Sequence, residues 1–417
     1  MVIEDRRDTR HWSGSAAIVG VGYRVSRETE KPPTPLRLIL EACVDALRDA
    51  GVEREKVQAL FATRAPVADQ HPQFNVKIGT ELGLTTRFST EVTQHAAGTI
   101  ASLKYAMLAV NSGIVDYALC CGGDTSNLWI QGTRRVGATA FHDSDPQFET
   151  PYGPSMIGIY AQHAIRYMHE YGATEEHFAR VAVEHRRWAV AHPQAVMRSK
   201  GLITVKDVLA SPMIAYPIRL FECSPRLPQG SAGALLVTRA EIAREICERP
   251  IYILGVGECS TNEYASDRLS LLGTRSFERP TYTESGLTLA ATDAYDMAGL
   301  GPKDLDVVQC VSNFSSIFLT VIEDLGLCAR GEAAAFVETG GIDFESGLPV
   351  NTNGGHLGFG HPGPSMNMDS LVEGVRQLQR RAVGKQVEGA RVCLVHGTGA
   401  PLLGCNAVAI LGTERPN

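Results

Sequence analysis

The chain contains no Cys-x-x-Cys pair, although it holds ten cysteines. Most of them sit inside apolar segments, as Cys43, Cys120, Cys310 and Cys393 do. Zinc knots and disulfide scaffolds need thiols paired at short, regular spacing, so neither is expected, and the usage suits a reduced compartment. No apolar run is long enough to span a bilayer, and the start lacks a basic-then-apolar leader pattern. The expected location is therefore the cytoplasm, with no membrane partner. Basic residues are not in excess: 39 Lys and Arg stand against 46 Asp and Glu, for a net charge of -7. Nucleic acid or an anionic membrane surface would find little to hold. A dinucleotide fingerprint is missing too, because Gly20-Val21-Gly22 has no third glycine opening a helix. His142, Asp143 and Asp145 lie too close together to converge on a metal ion, so they are read as loop and no metal site is expected.

What the chain does have is length and apolar content: 417 residues, 44% of them hydrophobic, enough for two or three domains. It also repeats itself. Ala16 to Gly22 and Ile251 to Gly257 are apolar runs ending in Gly-Val-Gly, as buried strands read. A helix pattern from Leu36 to Gly51 and a strand from Val57 to Ala62 follow the first. A helix pattern from Leu287 to Gly299 and a strand from Leu305 to Val311 follow the second. At constant offset Ala42, Ala46, Ala50 and Gly51 match Ala290, Ala294, Ala298 and Gly299. Each helix stops at a glycine. A second unit repeats as well: the helix Ser102–Val110 before the strand Tyr117–Gly123, and the helix Ser370–Leu378 before the strand Arg391–Gly397. Alternating strands and helices predict an α/β fold with mixed or parallel sheets. The segment from Thr125 to Met213, rich in His, Arg, Met and Tyr, interrupts the first half as an inserted helical cap region.

The densest signal runs from Pro349 to Pro364. A strand expected over Ser346–Val350 enters a turn with five glycines between Gly354 and Gly363, which then leaves through Gly360-His361-Pro362 toward a helix from about Met366. Such glycines let backbone approach a ligand closely, and a histidine held there can address a substrate.

These features together resemble the thiolase superfamily from about residue 15 to the end. Asn351-Thr352-Asn353-Gly354-Gly355 through Gly360-His361-Pro362 is similar to its Asn-x-x-Gly-Gly…Gly-His-Pro block. Thr93 to Gly98 resembles the turn that carries the nucleophile, Ser312-Asn313-Phe314 stands where Asn-Glu-Ala-Phe is usual, and Gln229 to Ala234 resembles the Asp-Gly-Ala-Ala stretch. Phe314 through Cys328, with Gly331-Glu332, looks like the lipid-transfer-protein, sterol-carrier-type branch. The resemblance implies a duplicated βαβαβαββ fold in five layers. Residues 15–124 with 214–250 would form the N-terminal half, 125–213 the cap and 251–417 the C-terminal half. It also implies a homodimer, an acyl-CoA thioester substrate, and a small zinc-ribbon/OB-fold partner protein. No covalently bound cofactor is expected; coenzyme A enters as part of the substrate.

Departures from the family pattern narrow the chemistry. A thiolase needs an acylable thiolate, yet His95 stands at the position of the nucleophile. The place of the second thiolase cysteine reads Val395-His396-Gly397-Thr398-Gly399. Cys120, Cys121, Cys393 and Cys405 fall inside strand patterns. His95, His361 and His396 would then meet in one pocket and do acid–base work beside a thioester. His361, Asn313 and the Gly399 N–H are expected to hold an oxyanion, with His95 or His396 as the base. Gly354, Gly355, His356 and Phe359 complete the expected substrate surface. Neutral imidazole is favoured at a helix N-terminus, which suits His95. Retro-aldol cleavage of a β-hydroxyacyl-CoA is the leading expectation, a lyase of the aldolase kind. Acyl transfer without a cysteine intermediate and a catalytically silent acyl-CoA-binding subunit are the alternatives. Retro-aldol relatives of this branch carry tyrosine where this chain has Phe359, so Tyr152, Tyr216, Tyr264 or Tyr282 would have to supply a hydroxyl. Arg186, Arg187, Arg198 and Lys200 are read as a solvated face, with coenzyme A phosphates as their other possible role.

Overall fold

The computed structural model describes residues 8–26, 33–63, 71–125, 144–153, 155–227, 230–269, 281–363 and 367–416. The strands are β1 (Ala16–Val25), β2 (Ala59–Thr63), β3 (Phe88–Val92), β4 (Tyr117–Asp124), the short pair β5 (Met213–Ala215) and β6 (Ile218–Arg219), β7 (Ser231–Arg239), β8 (Ile251–Ser260), β9 (Val307–Gln309), β10 (Val392–Gly399) and β11 (Cys405–Gly412). Nine of them run in the order β3-β2-β4-β7-β1-β8-β11-β10-β9. The halves meet at β1 and β8, which pair antiparallel through only two residue pairs, Ala17 with Tyr252 and Ile18 with Ile251. From that seam outward each half repeats the other. β1-β7-β4 and β8-β11-β10 are antiparallel runs, and each ends in a parallel neighbour, β2 or β9.

The repeat is physical as well as topological. Helix α1 (Pro35–Ala50) begins at Thr34, whose hydroxyl accepts the Arg37 N–H, and stops at Gly51 in the left-handed region. It lies on β1 because β1 is bare there: a Cβ on Gly22 would stand 1.9 Å from the Ala42 carbonyl oxygen, and one on Gly20 2.2 Å from that of Ala46. In the second half a Cβ on Gly257 would stand 1.9 Å from the Ala290 oxygen, and one on Gly255 2.0 Å from that of Ala294. The Gly-x-Gly strand and its alanine-faced helix are one packing device used twice.

Two helices pack against the inner faces of the two halves of this sheet. These are α3 (His95–Asn111) and a helix (Met368–Leu378) that is α9 below. One core joins their side chains, such as Ile100, Leu103, Leu371 and Val375, to inner faces of both halves, including Phe61, Leu235, Ile253 and Val395. A second core covers the outer faces with α1, α2 (Phe74–Leu82), α6 (Leu287–Ala298) and α7 (Ser315–Asp324). The five layers expected from the sequence are therefore present. One expected element shrinks: the strand over Ser346–Val350 is reduced to a single parallel bridge from Val350 to Val308. Within the expected cap, α4 (Met156–Tyr171) and α5 (Glu175–Ala191) pack on α7, and α5 also lies against α8 (Gly355–Gly358), the short helix of the glycine-rich loop. No described helix is long and apolar enough to cross a membrane.

Candidate active site

Three loops at the C-terminal ends of strands build the site. The first leads from β3 through Gln94 to His95, the first residue of α3. His95 is half-buried and has a φ of 50°. A side chain other than glycine in that region costs about 1–3 kcal/mol, so the surroundings must hold it. The end of β10 does so: a Cβ on Gly399 would stand 2.4 Å from the Gln94 carbonyl oxygen, and 3.2 Å from the His95 Cβ. Only a bare residue lets β10 come this close.

The second loop follows β9. Asn313 is half-buried, its backbone carbonyl accepts the Ser224 N–H at 2.9 Å, and its Oδ1 has no protein partner among the described residues. The third is the glycine-rich loop. Asn351 starts it, with Oδ1 accepting the Cys310 N–H at 2.8 Å. A Cβ on Gly354 would stand 2.7 Å from the Ala189 side chain, and one on Gly355 2.6 Å from the Ser312 Oγ. Both residues therefore seat the loop against α5 and the β9 turn. His356 is fully buried. Its N–H donates to Ser312 Oγ at 3.1 Å, while the Ser312 N–H donates to its Nδ1 at 3.3 Å. An Nδ1 that accepts leaves the proton of a neutral imidazole on Nε2, and that atom has no partner among the described residues. His361 follows, pinned by its N–H to the Pro225 carbonyl at 2.8 Å and by the Leu227 N–H to its own carbonyl at 3.0 Å. The His356 and His361 ring centroids are 5.7 Å apart.

Burial pushes the His361 imidazole down to about 3; His356, Arg226 and His95 push the same way. Burial takes His356 to about 4, against the pull of Asn367. Both rings are neutral near pH 7 and act as hydrogen-bond donors or acceptors rather than as fixed charges.

Gly399 abuts His95, the His356 and His361 rings adjoin, and the His361 imidazole feels both His356 and His95. His396 does not face His95: Gly397 and Gly399 on β10 look toward α3, where a Cβ on Gly397 would lie 2.3 Å from the Ala96 oxygen. Alternation puts His396 on the other face, where its ring still feels His356. There its Nε2 meets Asn406 Oδ1 at 3.3 Å, and Asn406 Nδ2 donates to the Leu403 carbonyl at 2.7 Å. Phe359 lies in a small core of its own. Its ring is buried with Ala189, Ala195 and Leu227, edge-on to His192 at 5.3 Å, rather than open to a substrate. Tyr152 and Tyr216 face solvent, the Tyr282 hydroxyl donates to Gln162, and the Tyr264 phenol pairs with Glu263. Arg186 donates to the Gly201 carbonyl and Arg187 pairs with Asp343, leaving Arg198 and Lys200 exposed.

Sequence reasoning missed Glu222. It is buried beside the β9 turn, where Ser315 Oγ donates to its Oε1 at 3.3 Å, and burial raises its carboxyl to about 7. Only the fold brings it there, so no local pattern could have found it. Cys120 and Cys121 lie wholly inside β4, and burial raises the Cys120 thiol to about 12. Among the described residues no group of three His, Cys, Asp or Glu could hold a metal ion; His142 and Asp143 fall outside them.

Comparison with known proteins adds four findings. A family profile described as thiolase C-terminal domain-like matches residues 273–413. The 17-hydroxy-3-oxo-4-pregnene-20-carboxyl-CoA lyase of Mycobacterium tuberculosis is 32% identical over 94% of this chain and 98% of its own length. The acetyl-CoA acetyltransferase of Methanothermobacter thermautotrophicus is 32% identical over 87% of this chain and 90% of its own. Among solved structures, one described as an Ltp2-ChsH2(DUF35) aldolase is 28% identical, covers 97% of this chain and 99% of that chain, and superposes with a TM-score of 0.80.

Proposed function

Because this chain belongs to the thiolase superfamily, in its sterol-carrier-type branch, we propose that it cleaves a β-hydroxyacyl-CoA by retro-aldol chemistry without a cysteine acyl-enzyme. One observation carries the reading: an imidazole, His95, opens α3 where an acylable thiol would be needed, beside a Gly-His-Pro loop whose histidine is neutral. Its lyase relative acts on a CoA thioester, which supports the same substrate class here.

The steps balance without a co-reactant. His95 takes the β-hydroxyl proton, the Cα–Cβ bond breaks, and its electron pair moves into the thioester as an enolate. A ketone or aldehyde leaves, and the imidazolium returns its proton to Cα. The enolate oxygen needs donors, and His361, the Gly399 N–H and the Asn313 amide are our candidates. Each donor at such a site is worth about 3–4 kcal/mol. His356 stands behind His361 with its proton fixed on Nε2, and Gly354 and Gly355 keep this loop against α5. His396 is the weaker choice of base, since it is fully buried on the far face of β10.

The reading includes a cytoplasmic homodimer and a small zinc-ribbon/OB-fold partner; the solved aldolase complex supports the partner. Acyl transfer is kept as a second reading because of the acetyltransferase relative. To separate the two, the chain is incubated, alone and with candidate partners, with β-hydroxyacyl- and 3-oxoacyl-CoA esters and the products are identified by mass spectrometry. A carbonyl compound plus a shortened acyl-CoA supports cleavage; two acyl-CoA products support transfer. His95→Ala is expected to lose at least about 100-fold in kcat, and cleavage at the parental rate would remove His95 from the mechanism.

A further inference from the structure

The residue before His95 is held from the other half of the molecule. Gln94 Nε2 donates to Glu258 Oε1 at 2.8 Å, although the two stand 164 positions apart. Glu258 lies on β8 and is largely buried. The Tyr105 hydroxyl reaches both of its carboxylate oxygens at 3.2 Å, and Lys104 Nζ lies 3.4 Å from Oε2. Tyr105 and Lys104 belong to α3, the helix that His95 opens. One carboxylate therefore grips the residue just before that helix and the helix itself about three turns on. Burial and the Glu258 charge push the Tyr105 phenol up to about 12, so it remains a donor. Gly399 also packs closely against the Gln94 carbonyl. The left-handed turn at His95 is clamped between these contacts.

We propose that Glu258, acting through Gln94, is the positioning residue that aims the His95 imidazole toward the His361 loop. The inference rests on the reading of His95 as the base. A base displaced by about 1 Å loses on the order of 100-fold in rate, while the loops that bind the thioester stay in place. The expected signature is therefore a fall in kcat at constant KM.

A double-mutant cycle tests it. Gln94→Leu and Glu258→Leu are each expected to lower kcat about 100-fold with KM within about twofold. The double variant should be no worse than Glu258→Leu alone, because the Gln94 link is already lost there. Glu258→Gln keeps an acceptor for Gln94 and should stay within about fivefold of the parent. If Gln94→Leu turns over normally, or the two losses multiply in the double variant, the inference is wrong. His95→Ala is assayed beside them. Loss of activity there, with both Leu variants normal, overturns only the positioning role; normal activity there overturns the base itself, and the positioning role with it. Should Glu258→Leu fail to fold, Gln94→Leu decides alone.

Discussion

The Asn351 side-chain amide donates from Nδ2 to Nε2 of His185 across 2.9 Å. His185 can accept there because its Nδ1 donates to the Val181 carbonyl at 2.8 Å. A residue of the inserted helix α5 thus fixes the first residue of the glycine-rich loop, and with it the Oδ1 that receives Cys310 N–H. His185→Ala would empty a buried site and strand an amide. The expected cost is about 3 kcal/mol of stability, read as a lower urea midpoint at unchanged m-value. An unaltered midpoint would mean the insert does not brace the loop.

Acid should unfold the protein for a definite reason. Burial lowers His163 to about 3 and His185, His192, His356 and His396 to about 4. The unfolded chain then binds more protons than the folded one from about pH 6.5 downward, so stability falls as pH falls through that window. Each such histidine contributes a slope of up to about 1.4 kcal/mol per pH unit. Asp369, raised to about 6 by burial, works in the opposite direction. His163 accepts or donates one bond, to Thr320 Oγ1 at 3.1 Å, which a glutamine can keep. His163→Gln should therefore lose about 1 kcal/mol less than the parent between pH 6 and pH 5. Equal losses in urea titrations at the two pH values would show that His163 is not neutral in the fold.

The packing device of the repeat predicts a contrast between two glycines. Gly257→Ala would place a methyl 1.9 Å from the Ala290 carbonyl oxygen, and backbone cannot step aside cheaply. About 3 kcal/mol of destabilisation is expected. Gly299→Ala meets nothing within 4 Å and suffers only from its φ of 66°, for about 1 kcal/mol. Thermal unfolding of the two variants ranks them, and a reversed order would mean that Gly257 does not seat α6 against β8.

How far the chain could be read without coordinates follows from what each contact depends on. The halves were legible because Gly-Val-Gly and the Ala42–Ala46–Ala50 spacing are local patterns, and local packing follows from them. The glycine-rich loop was legible because its residue types are rarely used together for anything else. Ser346–Val350 reads as a strand but does not form one, since Gly347 and Pro349 interrupt a run that pairs only at Val350. The face of β10 that carries His396 could not be read, because alternation gives two faces and does not say which one looks at α3; Gly397 and Gly399 decide that. Asp369, Glu222 and the Gln94–Glu258 bond were illegible, because a carboxylate in a helix or strand reads as solvated until the fold buries it.

Phe359 supplies the sharpest test of this distinction. The family resemblance read from the sequence implies a tyrosine at this position in retro-aldol members of the branch, and a hydroxyl that takes part in the reaction. In the fold its ring is 1% exposed, edge-on to His192 and 6.3 Å from the Tyr23 ring, with Val196 N–H bonded to its carbonyl. A hydroxyl added at the ring tip would enter a small apolar core, where an unbonded hydroxyl costs about 1–3 kcal/mol. Phe359→Tyr is therefore expected to lower stability by that amount and to leave kcat for C–C cleavage no higher than the parent's. The measurement is a paired one, thermal midpoint and product formation on the same preparation. A variant that is equally stable and cleaves faster would mean that this ring turns toward the imidazoles when substrate is bound, and that position 359 belongs to the reacting surface after all.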